Sequence, residues 1–266
     1  MNVLCIGAHP DDCEIKFGGT AAKFAAGGHA VKFVSVTNGQ SGHRHKFGPE
    51  LIEIRRKEAA EGARRLAIAE SQVLENPDGA LQPDLARREQ IIRQIRNWRA
   101  DVVLTHRPCD YHPDHRYTAQ LVQDAAYMVV VPAVCSDTSA LRINPAIFHL
   151  EDDFQLPNPH QPDVAVSIDE TWDQKIFAMD AHVSQFYEWL PDVDGKSDQV
   201  PRDSDGNARR QWLGATWTRP IRPIVRELLK ARYGAKGSEI QRAESFQLCE
   251  YGRQPSRQEL NQMFPR

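Results

Sequence analysis

The 266-residue chain contains little cysteine and no closely spaced cysteine pair. Its five cysteines include no C-x-x-C spacing, and an odd number cannot all be bridged. This usage is typical of reduced thiols, so we expect a cytoplasmic protein. Cys13 and Cys109 lie beside the two motifs described below. There they either line a site or fill space as small apolar side chains.

The chain also lacks a long apolar run and an excess of positive charge. The longest apolar run, residues 128–134, is interrupted by Pro132 and is far too short to cross a bilayer. Met1 and Asn2 lead straight into an apolar stretch, so we expect no signal peptide. The net charge of -3 gives no basic footprint, so we expect no nucleic-acid partner and no transmembrane segment.

Apolar strands alternate with amphipathic helices along the chain. Residues 3–6 form an unbroken apolar run, typical of a strand buried on both faces, and residues 29–37 read as the next strand. Residues 85–98 show apolar side chains at helical spacing. The pattern predicts an α/β fold: a Rossmann-like, mostly parallel sheet with helices on both faces, in a three-layer sandwich. No G-x-G-x-x-G follows the first strand, so no dinucleotide is expected.

We predict one domain over residues 1–266, because 41% apolar residues suffice for a sizeable core and no linker divides the chain. Residues 188–220 are rich in Asp, Gly, Ser and Pro and are predicted to form an irregular insertion, either a lid or an interface. Residues 252–266 read as a tail. The tryptophans of the insertion can stack on a sugar or bury a subunit contact, and we expect a homo-oligomer.

Two His-Pro-Asp clusters each follow a predicted strand. His9-Pro10-Asp11-Asp12 comes directly after the first strand, and His112-Pro113-Asp114-His115 comes after the apolar strand at residues 101–106. Active sites of open α/β sheets lie at the carboxyl ends of the strands, so the two clusters can meet in one crevice. The alternative for the first cluster is an Asp-rich helix start with His9 in a loop.

Together the two clusters resemble the signature of the PIG-L (LmbE-like) zinc-dependent N-deacetylases. The resemblance covers about residues 2–125 and returns at 181–185 and 243–246. It implies a Zn²⁺ ion held by His9, Asp12 and His115. Two imidazoles, one carboxylate and an open position are typical of a catalytic metal site, but the same ligands also form the iron triad of oxygenases.

The resemblance also implies how the remaining residues of the clusters act. Asp11, a carboxylate left free of the metal, takes the proton from the attacking water. An oxygenase has no use for such a group, so Asp11 favours hydrolysis. His112, as an imidazolium, stabilises the developing oxyanion and is oriented by Asp114.

Three further residues match substrate-binding positions of the family. Arg55 is expected to reach into the substrate pocket, although the residues alone favour one more solvated charge on its helix. Asp78 is expected to contact sugar hydroxyls, with a plain turn aspartate as the alternative. His182 either faces the site or is a packed surface histidine.

The implied function is N-deacetylation of an N-acetylated amino sugar or a glycoconjugate. One alternative is a zinc amidase that acts on a non-sugar amide such as a thiol conjugate or a secondary metabolite. A non-catalytic binding module is the third possibility, and it is disfavoured because every motif position is filled.

Overall fold

The structure is a computed structural model that describes residues 1–202 and 206–266. These residues form one seven-stranded sheet with helices around it. The strands are β1 (Asn2–Gly7), β2 (Ala30–Thr37), β3 (Glu70–Asn76), β4 (Val102–Thr105), β5 (Ala146–Leu150), β6 (Val164–Ser167) and β7 (Ala243–Leu248). The α-helices are α1 (Asp12–Ala26), α2 (Pro49–Leu66), α3 (Leu85–Trp98), α4 (Pro113–Met128), α5 (Trp172–Met179), α6 (Leu190–Val193), α7 (Asn207–Trp217), α8 (Pro223–Tyr233) and α9 (Arg257–Met263).

The sheet is mostly parallel, as predicted. Its strand order is β3-β2-β1-β4-β5-β7-β6, and β7 alone runs antiparallel to its neighbours. From β1 the chain passes to β2 on one side, whereas β4 pairs with β1 on the other. The crevice between β1 and β4 is therefore the topological switch point, where open α/β sheets bind ligands.

Alternate residues of each central strand face opposite sides of the sheet. In β1, Val3 and Cys5 join one apolar cluster, while Leu4 and Ile6 join another. Helices α1, α2, α5 and α9 contribute to the first cluster, and α3 and α4 contribute to the second. The sheet is thus covered on both faces, which confirms the predicted α/β class and its layers.

Helix α4 begins earlier than its periodicity suggests. The sequence predicts a helix from Tyr117, but α4 starts at Pro113, with His112 as its N-cap. Proline is suited to the first helical position because its missing N–H needs no partner there. The early start places His115 in the first turn, at the carboxyl edge of the sheet.

The region between β6 and β7 is more regular than predicted. The single helix expected over residues 171–187 is divided: α5 ends at Met179, and a π-helix covers Ser184–Trp189. The insertion at 188–220 contains α6 and α7 rather than an irregular loop, although its residues 203–205 lie outside those described.

The predicted tail at residues 252–266 contains a packed helix. Helix α9 begins with a capping box in which Ser256 and Glu259 satisfy each other's backbone N–H groups. Phe264 follows it, is 2% exposed, and packs against Phe24 and Phe246. The sequence prediction failed here because α9 is short and its apolar residues contact strands distant in the chain.

No helix among residues 1–202 and 206–266 combines the length and apolarity needed to span a membrane.

We predict that Phe264→Ala lowers the free energy of unfolding by about 3–5 kcal/mol, because it removes a large buried ring from a packed cluster. Leu156→Ala is the matched control, since Leu156 is 83% exposed and should change stability by less than about 0.5 kcal/mol. Urea unfolding monitored by circular dichroism measures both. Equal effects of the two substitutions would show that the C-terminal segment is not part of the core.

Candidate metal centre and active-site cleft

The two His-Pro-Asp clusters meet at the switch point between β1 and β4. His9 Nδ1 lies 3.1 Å from His115 Nε2. Asp12 reaches both rings, with Oδ2 3.5 Å from His9 Nδ1 and Oδ1 3.5 Å from His115 Nε2. Ligand atoms about 2.1 Å from a tetrahedral ion lie about 3.4 Å from one another, so these three side chains fit a shared metal ion.

The outer nitrogens of both histidines are held by carboxylates. His115 Nδ1 lies 2.9 Å from Asp110 Oδ1. His9 Nε2 lies 3.2 Å from Asp78 Oδ1 and 3.4 Å from Asp114 Oδ2. Ionised carboxylates only accept hydrogen bonds, so each outer nitrogen carries a proton, and each ring when neutral presents the lone pair of its inner nitrogen. Carboxylates in this position are typical of metal-ligating histidines.

The crowding of acceptors makes the site favourable for a cation. Burial alone would lower the pKa of His9, but hydrogen bonds to Asp114, Asp12 and Asp78 raise it well above the ordinary value. In the metal-free protein His9 therefore carries a second proton, on Nδ1. This proton faces His115 Nε2, at the position that a metal cation would otherwise take. Metal binding therefore releases this proton.

His106 is a site residue that the sequence did not single out. It directly follows β4, is 1% exposed, and stacks on His115 with ring centroids 4.1 Å apart. Its Nε2 accepts from the Ala8 N–H at 3.0 Å and lies 3.1 Å from Asp12 Oδ2. Burial lowers its pKa to about 4, so it is neutral. Its position immediately after an apolar strand was the available signal.

The described residues offer other metal-binding combinations at the same place. The donor atoms of His9, His112 and His115 lie within 4.8 Å of one another, as do those of Asp12, His106 and His115. These sets share His115 with the predicted ligands and describe one centre. The crevice therefore offers His and Asp donors that can hold a metal ion, whereas the identity of the ion depends on donor chemistry.

Asp11 occupies a strained backbone conformation at the start of α1. Its φ of 133° lies in a region that L-residues rarely adopt. Although it is the N-cap residue, its side chain makes no capping hydrogen bond. Asp11 is 3% exposed, and its Oδ2 has no hydrogen-bond partner among the described residues. Burial and the charge of Asp12 raise its pKa to about 7. A strained, unpartnered carboxylate of this kind is suited to accept a proton.

His112 and Asp114 interact differently from the expectation. The partner of His112 is the backbone of Asp114 and not its carboxylate. The Asp114 N–H donates to His112 Nδ1 at 3.2 Å. A nitrogen that accepts this bond is unprotonated, so the proton of neutral His112 is on Nε2. Burial, together with the neighbouring His9 and His115, lowers the pKa of His112 below its ordinary value. The structure therefore favours a neutral imidazole over the expected imidazolium.

The carboxylates of Asp114 and Asp78 accept hydrogen bonds from His9 Nε2. Asp114 also accepts backbone hydrogen bonds from Gly79 at 2.8 Å and Leu81 at 3.3 Å. Asp78 accepts from the Ser41 N–H at 3.2 Å. These bonds fix both carboxylates behind the ring of His9. Asp78 is thus neither a plain turn aspartate nor directed only at substrate, because its Oδ1 faces a metal-site histidine.

Arg55 is buried beside Asp11 rather than solvated. It is 2% exposed, donates to the Gly42 carbonyl at 2.7 Å, and also donates to Gln185. Its charge acts to lower the pKa of Asp11. Arg55 is not among the residues that line the cavity described below, whereas Gln185 is. Arg55 therefore reaches the site from behind.

His182 is fully buried, with Nε2 3.2 Å from Glu14 Oε1. It does not line the cavity, which corrects the expectation of a substrate contact. Burial acts to lower its pKa, but the charge of Glu14 outweighs this and raises it. Nearby, Glu58 accepts hydrogen bonds from the Ser184 backbone and hydroxyl at 2.7 and 2.6 Å. These contacts hold the π-helix against α1 and α2.

A cavity of about 360 Å³ opens over the metal centre. Near the centre it is lined by Asp11, Asp12, His115 and Tyr111, and it extends to Trp172 on α5. Its volume lies within the range of small-molecule sites, about 300–1,000 Å³. The arrangement combines a cation site and a partner-free carboxylate at a ligand-sized cavity, with the imidazole of His112 packed beside His9 at 4.6 Å between ring centres.

Comparison with known proteins identifies the family of this chain. A profile of the PIG-L family, described as GlcNAc-PI de-N-acetylase, matches residues 4–126. The chain is 30% identical over 191 residues to the diacetylchitobiose deacetylase of Thermococcus kodakarensis, which spans 70% of each chain. The chain belongs to the PIG-L family, and its named relatives include deacetylases, which are hydrolases of amide bonds.

Solved structures extend this likeness to nearly the whole chain. N,N'-diacetylchitobiose deacetylase from Pyrococcus horikoshii matches with a TM-score of 0.69 at 25% identity, over 94% of this chain and 84% of the other. The 4-carboxy-2-hydroxymuconate hydratase GalB from Pseudomonas putida matches with a TM-score of 0.72 at 19% identity, over 96% and 99%. The second likeness shows the fold alone. The fold therefore supports more than one reaction, and function must be argued from the site.

We predict that Asp11→Asn stabilises the metal-free protein at pH 8 by about 1–3 kcal/mol. Folded Asp11 has a pKa of about 7, whereas an unfolded aspartate titrates near 4. Its charged form therefore lowers the free energy of unfolding above pH 7, and this penalty disappears as the pH falls from 7 to 4. Thermal melts at pH 8 and pH 4.5 measure the gain and its loss.

Asp110→Asn is the control for that experiment. The pKa of Asp110 is lowered by its bond to His115, although burial acts against this, so neutralising it should destabilise the protein at pH 8. A destabilising Asp11→Asn substitution would show that the carboxylate has a partner in the folded protein.

Proposed function

We propose that this protein is a zinc-dependent N-deacetylase that hydrolyses the acetamide of an N-acetylated amino sugar or glycoconjugate. The observation that carries the proposal is Asp11, a buried carboxylate without a hydrogen-bond partner among the described residues, beside a His/Asp cation site. Amide hydrolysis needs a base that is free of the metal, and Asp11 is such a group. The sugar specificity rests on the diacetylchitobiose deacetylases among the chain's relatives.

His9, Asp12 and His115 are the residues that would hold the zinc ion. When bound, zinc supplies a Lewis acid and lowers the pKa of a water molecule to about 7. Two imidazoles and a carboxylate are typical ligands of catalytic zinc, and Asp110, Asp78 and Asp114 fix the tautomers that expose the inner nitrogens.

Asp11 accepts the proton of the attacking water and delivers it to the leaving amine. Its raised pKa matches this double role near neutral pH. His112 donates its Nε2–H to the developing oxyanion as a neutral imidazole, since its Nδ1 accepts from the Asp114 backbone. Arg55 tunes and positions Asp11 from behind. The products are acetate and a free amine.

The alternative from the sequence, a zinc amidase that acts on a non-sugar amide, uses the same centre. It differs only in what fills the cavity beyond the acetamide, so the choice depends on a substrate panel. We also propose a cytoplasmic homo-oligomer. All five cysteines are free, which fits a reducing compartment.

We predict that the zinc-loaded protein releases acetate from N-acetylglucosamine oligosaccharides faster than from N-acetylated thiol conjugates or N-acetyl amino acids. An enzymatic acetate assay with elemental analysis measures turnover together with metal content. Asp12→Ala should lower both. Asp11→Asn should retain the metal and reduce kcat by about 10²–10⁴-fold.

Two results would contradict this proposal. If the Asp11→Asn variant turned over at the wild-type rate with metal bound, Asp11 would not be the general base. A clear preference for the non-sugar amides would assign the protein to the alternative class.

We predict that His112→Ala lowers kcat by about 10²–10³-fold with nearly unchanged metal affinity, as loss of one oxyanion donor does. The alkaline limb of the kcat/KM profile should not move, because the lowered pKa of His112 leaves the imidazole neutral throughout that range. A pH series of kcat/KM for wild type and variant checks this. An alkaline limb that disappears in the variant would restore the imidazolium mechanism.

A further inference from the structure

The cavity over the metal centre continues as a groove along the carboxyl edge of the sheet. It passes from the ends of β1 and β4 to the segment after β5, and then to Ile168 after β6 and Ala243 at the start of β7. In the strand order β1-β4-β5-β7-β6 this path crosses four strand spacings, about 19 Å at about 4.8 Å each. A pyranose ring is about as long as one such spacing. The groove therefore has room for several rings beyond the sugar at the metal centre.

Aromatic side chains line the far end of the groove, which we define by Trp172, Trp217 and Arg242. Trp172 begins α5 and Trp217 ends α7, and both are partly buried in one apolar cluster with Ile15. They are held by packing and still line the groove. Fixed, partly exposed indole rings are suited to stacking against the apolar face of a sugar.

Arg242 is the far-end cation that remains available to a ligand. Its guanidinium lies 4.8 Å from the centre of the Trp172 ring. Its buried Nε has no hydrogen-bond partner, and it forms no ion pair, within the part of the chain that the structure describes. The neighbouring charges are already used: Lys175 pairs with Glu244 at 2.7 Å, and Arg222 pairs with Glu151 at 2.9 Å.

These charges decide which kind of ligand fits. An acyl chain in the far end would separate Arg242 from water and provide no acceptor, which is unfavourable for a buried charge. A saccharide provides hydroxyl oxygens for the guanidinium and a C–H face for the indole. The combination of an aromatic wall with few convergent polar groups is typical of a specific small-molecule subsite.

We propose that the far end is a saccharide subsite, and that the protein prefers a linear N-acetylglucosamine oligosaccharide of three or more rings over the monosaccharide. One ring stacks on Trp172 and bonds to Arg242, while the terminal acetamide lies at the metal centre. The inference rests on the proposed function for the nature of the sugar, whereas the subsite itself can be tested without turnover.

The kinetic test compares kcat/KM for N-acetylglucosamine and for its tri-N-acetyl trisaccharide. The wild type should prefer the trisaccharide by about tenfold or more. Trp172→Ala should raise KM for the trisaccharide by about fivefold to tenfold, the strength of one aromatic stack, and leave kcat and the monosaccharide values unchanged. Trp172→Phe should restore most of the loss because it keeps an aromatic face. Trp212→Ala is the matched control, since Trp212 belongs to the same cluster but does not line the groove.

The binding test measures the Kd of the trisaccharide by calorimetry on zinc-loaded Asp11→Asn protein, with and without Trp172→Ala. Weaker binding of about fivefold to tenfold in the double variant supports the subsite even if the wild type releases no acetate, in which case only the proposed function fails. Equal rates for monosaccharide and trisaccharide, with equal binding by both variants, overturn the subsite while deacetylation stands. An octyl glycoside of N-acetylglucosamine is the competing ligand. If its kcat/KM exceeds that of the monosaccharide as much as the trisaccharide's does, and Trp172→Ala abolishes this gain, the far end binds an apolar chain instead.

Discussion

The structure depends on one place where hydrogen-bond acceptors converge. Two neutral imidazoles and a carboxylate meet there without enough protons to pair every lone pair. The inner nitrogens of His9 and His115 face each other at 3.1 Å, and the carboxylate of Asp12 lies beside both. Asp110, Asp78 and Asp114 hold the outer nitrogens and so prevent the rings from reversing their polarity. A cation at this position removes the conflict. Its affinity follows from the geometry that carboxylates around the rings impose.

Much of the surrounding protein keeps this geometry in place. Arg55, Glu58 and Gly62 lie on one side of α2 and contact the segment around His182, Ser184 and Gln185. A Cβ at Gly62 would lie 2.8 Å from Glu14 Oε1 and 3.0 Å from His182 Nε2, so a side chain there would displace this buried pair. In this structure Arg55 and His182 are buried next to the site, where their charges act on Asp11, whereas Asp78 contacts His9. The strained backbone of Asp11 is maintained by its packed surroundings.

The centre determines the bond that is attacked, whereas the groove determines which molecule brings that bond to it. In the proposed reaction the acetamide is attacked beside Asp11 and the His/Asp cation site, at the β1 and β4 end of the cavity. The far end is built from α5, from α7 within the insertion and from the first residues of β7. These elements follow the two clusters in the chain and can vary without altering the centre. This separation allows one centre to be combined with grooves for different substrates.

The sequence by itself determined the class of the sheet and the edge at which the two clusters lie. Unbroken apolar runs give buried parallel strands, and the clusters that follow them must lie at the carboxyl edge because parallel strands end on one side. Helix α3 was predicted at its observed bounds, since its apolar residues follow a single helical face. Asp11 was identified by its place beside Asp12. Its role as the base, like those of His112 and the metal ligands, remains a prediction.

Only the tertiary structure decided how the other groups meet. The backbone N–H of Asp114 contacts His112, whereas its carboxylate contacts His9. At the start of α4 the backbone and the side chain of Asp114 point in different directions, so one residue contacts two rings. The same holds for the burial of His182, for the stacking of His106 on His115 and for the packing of Phe264. The contacts of His182 and Phe264 join residues far apart in the chain, and the stacking of His106 depends on how the fold turns two nearby rings. A local pattern of residues carries no information about which partners the fold brings together.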